Sequence, residues 1–171
     1  MSCGVEVVLI YHPASDVHHC CYRLLNILRS MDNLSIDLHM LHLIDFYYVY
    51  PHLLKKISPL PRPLNSRSKN IKHIKEPFEV NPHPQNLFYE LNQIQDSAIT
   101  SLLQKNLISI LRDNAILCIE NVPLDLINRF SEDSFSKSET FETLINFMSK
   151  TNLEGKSGLK SRTGLMEFRY D

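Results

Sequence analysis

The sequence predicts an α+β fold that is mainly helical, and three observations carry this reading. Apolar residues recur at helical spacing in several separate stretches, two short Ile/Leu-rich runs face each other across "RDN", and a basic, proline-rich segment divides the helical parts. With 171 residues and 43% hydrophobic content, the chain can bury about 70% of its unfolded surface around one core. It reads as a single domain over 1–171. Its parts are an N-terminal helical part (1–54), a basic Pro-rich linker segment (55–84), helices and a hairpin (85–150) and a C-terminal tail (151–171).

The first helix follows Asp16, a good N-cap, with apolar residues at 17, 20, 21, 24, 27, 28 and 31. Cys20 and Cys21 fall on that stripe and read as core packing, because a free cysteine behaves as a small hydrophobe. His18 and His19 flank it. Only His18 and Cys21 have a usable i, i+3 spacing, and no second pair completes a four-ligand zinc site. Next comes "SIDLHMLHLIDFYYVYPHLL", so apolar that its helix must be buried over most of its circumference. His39, His42 and Asp45 there can be forced into a two-histidine, one-carboxylate set, but a crowded core position favours internal hydrogen bonding over metal.

Prolines at 59, 61, 63, 77, 82 and 84 make the next segment extended or turn structure with no regular helix. A helix resumes at Pro84, with Leu87, Leu91, Ile94, Ala98 and Leu102 at helical intervals. Strands at about 107–111 and 115–119 turn at Arg112, Asp113 and Asn114. Two helices follow, from Leu124 to Phe130 and from about Ser138 to Lys150, and the tail ends in a candidate strand at 165–170. Helices followed by a hairpin is the order of a winged helix, so the fold expected is winged-helix-like with a small hairpin and an extended basic Pro-rich segment.

Net charge is −1, so nothing global points to a polyanion or a membrane surface. The distribution is uneven. Between Phe46 and Lys75 there are seven basic residues and no acid, whereas between Glu76 and Glu154 twelve acids face five bases. The basic block is a candidate contact for phosphate or an acidic partner, or a solvated linker. The third long helix is a poor duplex reader: between Gln85 and Lys105 the fully charged residues are Glu90, Asp96 and Lys105. Four cysteines without a disulfide-like pattern, and no signal peptide or membrane-length apolar run, are consistent with a reduced, cytoplasmic protein.

The tail holds a decoy. Gly155, Lys156 and Ser157 resemble the end of a phosphate-binding loop, but Lys150 stands where its first glycine would be. No nucleophile elbow or H-E-x-x-H occurs either, so no catalytic residue, cofactor or metal is expected.

Three blocks, "YHPASDVHHCCYRLL", "IDFYYVYPHLL" and "GLKSRTGLMEFRYD", resemble the middle component of ABC-type three-component systems, including the Lamassu-type defence systems of bacteria. "FEVNPHPQNLFYELNQIQDSAITSLLQKNLI" resembles the segment joining the second and third blocks, so the likeness spans almost the whole chain. The resemblance implies a non-enzymatic adaptor that works with an SMC-like ABC ATPase and a nuclease-type effector, helps detect phage or plasmid DNA, and holds the effector until then.

Candidate DNA contacts are Lys55, Lys56, Arg67, Lys69, Lys72 and Lys75. Candidate partner contacts are Tyr11, His12, Phe46, Tyr47, Tyr48, Tyr50, Arg162, Phe168, Arg169 and Tyr170, since aromatic residues and arginine are enriched where partners dock. Core packing is the alternative for the aromatic residues, above all Phe46 and Tyr47. Arg162, Glu167, Phe168, Arg169 and Tyr170 alternate as a strand could use them, within the fold or on another subunit's sheet edge. A free-standing winged-helix DNA-binding regulator is the alternative function, and a hydrolase using His12, His18, His39, His42 and Asp45 is a remote third.

Overall fold

The computed structural model describes residues 13–78 and 83–166. Tyr11, His12, Phe168, Arg169 and Tyr170 lie outside the described residues, as does most of the strand expected at 165–170. Leu165 and Met166 are not in a strand.

Helix α1 (Val17–Arg29) starts as the sequence predicts. Asp16 is extended, and its Oδ1 accepts the backbone N–H groups of His18 (2.7 Å) and His19 (3.3 Å), two of the donors a helix start leaves unpaired. After α1 the chain turns through Leu34, at φ +52°, into strand β1 (Ser35–Asp37). Asp37 then caps α2 (Leu38–Val49), accepting the Met40 N–H at 3.0 Å. Helix α2 buries Met40, Leu41, Leu43, Ile44, Asp45, Phe46 and Tyr47, which is more than one face. A 3-10 turn at Pro51–Lys56 follows.

The proline-rich segment corrects one expectation, because it contains two short helices, α3 (Arg62–Asn65) and α4 (Ser68–His73). The prolines permit this: Pro61 precedes α3 and Pro63 lies in its first turn, where a missing N–H costs nothing. Between Leu64 and Glu76 there is no proline at all. Leu53, Leu54, Ile57, Leu64 and Ile71 are all 3% exposed or less, so the segment is anchored in the core along its length.

Helix α5 (Pro84–Gln104) begins on its proline and lies against α1 and α2. Strands β2 (Ile108–Leu111) and β3 (Asn114–Leu117) form the expected hairpin. Its loop residues Arg112 and Asp113 both have positive φ, +48° and +64°, as a tight two-residue hairpin loop requires. Strand β3 is central: β2 pairs with it antiparallel (Ile108 opposite Leu117), and so does β1 (Ser35 opposite Ile116).

Helix α6 (Leu124–Glu132) comes next. Then α7 (Glu139–Glu142), capped by Ser138 Oγ on the Phe141 N–H at 3.1 Å, runs into a π-helical turn at Thr143–Met148. The tail contains α8 (Leu159–Thr163), a helix not anticipated, set between two glycines. A Cβ on Gly158 would lie 2.3 Å from the Glu154 carbonyl oxygen, and Gly164 closes α8 at φ +63°. The fold is therefore mainly helical with a three-stranded antiparallel sheet. Its buried side chains form one continuous cluster drawn from α1, α2, α5, the basic segment, the hairpin and α6 to α8. Among the described residues no helix is long and apolar enough to cross a membrane.

Candidate functional site

At the junction of α1, α2 and α5 sits a polar cluster inside the core. Arg23 Nε donates to Asp45 Oδ1 at 2.6 Å and Nη2 to Oδ2 at 3.1 Å, a two-point ion pair. Gln95 Nε2 donates to Asp45 Oδ2 at 2.9 Å and to the His42 carbonyl at 3.0 Å. Burial disfavours the charge on Arg23, yet the adjacent Asp45 carboxylate outweighs it and raises the guanidinium pKa. Cys20, 3.9 Å from Asp45 Oδ2, has its thiol pushed far up by burial and then by that carboxylate, so it is held as a neutral packing group.

The sequence hid this cluster in plain spacing. Arg23 lies three residues after Cys20 and four before Ile27, and Gln95 lies four from both Leu91 and Ile99, so both occupy buried helical faces. The same geometry dismantles the two-histidine, one-carboxylate set. Asp45 faces Arg23 and Gln95, while exposed His39 lies 4.0 Å from Asp37. Among the described residues no three of His, Cys, Asp and Glu gather as a metal site. Gly155 to Ser157 form a turn after the π-helical segment, without the preceding strand a phosphate loop needs.

The six basic candidates divide into two kinds. Arg67 packs its guanidinium 4.3 Å above the Phe147 ring and bonds Glu142 at 2.5 Å, tying the basic segment to the helical region after Ser138. Lys55 bonds Glu76 at 2.7 Å, which lowers the Glu76 pKa. Lys56, Lys69, Lys72 and Lys75 are exposed and have no acid within ion-pair reach among the described residues. Lys69 and Lys72 share α4, one turn apart, and so belong to one face.

The aromatic candidates also divide. Phe46 and Tyr47 are 0% and 3% exposed, with Phe46 against Phe88 at 5.3 Å between ring centroids, so neither is offered on the surface of this chain. Tyr48 is half-buried against Phe135 at 4.3 Å, and burial followed by the nearby Asp133 carboxylate pushes its hydroxyl up to about 12. Tyr50 is half-buried between Phe46 and His52. In the tail, Arg162 donates to the Ser157 and Pro59 carbonyls, fastening α8 to the basic segment. Large apolar side chains that are exposed include Phe78, Tyr89, Ile110, Leu111 and Leu124, none of them singled out by the sequence patterns.

Helix α5 presents Gln85, Asn86, Tyr89, Glu90, Gln93, Asp96, Ser97 and Thr100 to solvent, an amide-rich and acidic face without a lysine or arginine. Comparison with curated proteins and with solved structures found no match. A family model does match, over residues 9–171, and its description is the ABC-three component (ABC-3C) system Middle Component 5. Because that match takes in nearly the entire sequence, the chain belongs to the family of ABC-3C middle components, parts of multi-component ABC-ATPase systems.

Proposed function

We propose that this chain is a non-enzymatic adaptor subunit of a bacterial defence complex of the Lamassu type. It bridges an SMC-like ABC ATPase and a nuclease-type effector in the cytoplasm and helps hold the effector inactive until phage or plasmid DNA is sensed. The observation that carries this reading is the family match over residues 9–171. The separation of surfaces supports it. Lys56, Lys69, Lys72 and Lys75, which have no acid within ion-pair reach among the described residues, lie on the inserted segment, whereas the helix that would read bases in a DNA-binding protein has no cation.

The order of elements supports a winged-helix-like reading. Helix α1, strand β1, helices α2 and α5 and the β2–β3 hairpin follow one another around a sheet ordered β1-β3-β2, with residues 50–83 inserted before α5. This order also favours the second reading, a free-standing DNA-binding regulator. Salt dependence separates the two. An adaptor alone binds duplex DNA weakly and without sequence preference, whereas a regulator alone binds a specific duplex tightly, with a steep fall in affinity as salt rises.

A further inference from the structure

A cleft of about 650 Å³ opens between α2, α5 and the tail, lined by His42, Asn92, Asp96, Tyr89, Phe88 and Met166 among others. Its volume is in the range of a side-chain or small-ligand site. Two atoms of its lining residues, His42 Nε2 and Asn92 Oδ1, are covered from solvent yet have no hydrogen-bond partner among the described residues. Such atoms are costly, so each calls for an explanation. Burial lowers the His42 pKa, with Asp96 and Asp45 pulling the other way, and a neutral imidazole can accept a hydrogen bond at Nε2.

Asn92 and Asp96 lie one turn apart on α5, so an amide oxygen and a carboxylate share a face. Tyr89, one turn before Asn92, is 58% exposed and offers an aromatic ring at the same rim. Lys160 also lines the cleft, but its ammonium is bonded to Glu154. The cleft thus collects acceptors and an aromatic face around a place with no free cation among the described residues.

We propose that this cleft is an arginine-binding pocket, in which a guanidinium from a segment of the ABC ATPase component bonds Asp96 and Asn92 Oδ1 and lies against Tyr89. Arginine fits better than lysine because its planar fork presents five donors in fixed directions and stacks on aromatic rings. Reaching the covered acceptors requires a neighbouring side chain to move, and Met166, half-buried in the same cleft, is unbranched and adaptable. The inference rests on the adaptor reading and names the surface that reading lacks.

The test is co-purification of the full chain with the ATPase component encoded beside it, for wild type, Asp96→Asn and Asn92→Leu. Asp96 is exposed and its substitution isosteric, so its variant stays folded, and thermal melting checks both variants. The expected result is wild-type recovery of the ATPase and at least ten-fold lower recovery by each variant. In parallel, N-acetylarginine amide should shift the His42 ring and Asn92 side-chain amide NMR signals of the free chain saturably, and N-acetyllysine amide much less. Undiminished recovery by the variants overturns the pocket while leaving the adaptor reading in place. Loss of another component with the ATPase retained overturns its occupant, and equal or absent shifts with the two probes overturn its guanidinium chemistry. Failure of wild type to recover the ATPase overturns both readings.

Discussion

Arg23 and Asp45 form a two-point ion pair inside the core, 6% and 0% exposed, across the junction of the first two long helices. A buried pair is weak evidence for stability, because desolvation offsets most of the attraction. Asp45→Ala removes the carboxylate that the buried Arg23 guanidinium bonds at two points and is expected to cost about 3–5 kcal/mol. The double variant Arg23→Met/Asp45→Leu removes both charges and should be near neutral or more stable. Urea melts of the two variants check this, and equal losses would show that the pair contributes net stability.

Arg67 is expected to act on folding more than on DNA. Its ion pair with Glu142 and its stacking on Phe147 are worth about 0.7–2 kcal/mol together, a partly exposed pair giving roughly 0.2–1 and the ring contact about 0.5–1. Arg67→Ala should lower stability by that amount, and Arg67→Lys should recover only part of it, because an ammonium cannot stack as a planar guanidinium does. Thermal melts of the pair report the difference.

The exposed lysines should behave in the opposite way. Changing Lys69, Lys72 and Lys75 to Glu leaves stability within about 0.5 kcal/mol per site, since none has an acidic partner to lose among the described residues. In the assembled complex the triple variant should weaken DNA binding and flatten its salt dependence by roughly 0.9 in the log–log slope for each phosphate contact removed. Subunit assembly should persist. Loss of assembly would identify this surface as a protein contact instead.

Burial holds the His42 imidazole below its ordinary value of 6.5, against the pull of Asp96 and Asp45 and with a small push from His39. His52 is lowered as well, by burial first and by Lys56 and Lys55, with Glu76 opposing. In both cases the unfolded chain takes up a proton at a higher pH than the folded one. Stability is therefore full above about pH 6.5 and falls as pH drops below it, until the folded-state value is passed. His42→Gln and His52→Gln should each flatten part of the stability change between pH 7 and 5, measured by chemical denaturation across that range.

Where local chemistry decides the structure, the sequence was legible. Asp16 and the stripe from Val17 to Met31 define α1, Pro84 starts α5, and the polar break at Arg112 to Asn114 turns the hairpin. Strand β1 was not legible, because Ser35 to Asp37 become a strand only by pairing with Asn114 to Ile116, far along the chain. Helices α3 and α4 were missed for a related reason. The prolines of α3 sit where a helix tolerates them, α4 contains none, and burial of Leu64 and Ile71 holds the two in place. In the candidate surfaces, exposure was the quantity the sequence could not supply. Lys69 and Arg67 look alike in the chain, yet Lys69 has no ion-pair partner among the described residues and Arg67 is stacked on Phe147, while Phe46 and Tyr47 turn inward, the core-packing reading favoured for these two.

The most direct measurement of the adaptor role is a pull-down of this protein from its native host at moderate salt, with mass spectrometry of everything recovered. The predicted result is stoichiometric recovery of an SMC-like ATPase together with a nuclease-type protein. Recovery of the chain by itself, with tight and sequence-specific binding to a duplex in the same buffer, would contradict the role and favour the regulator.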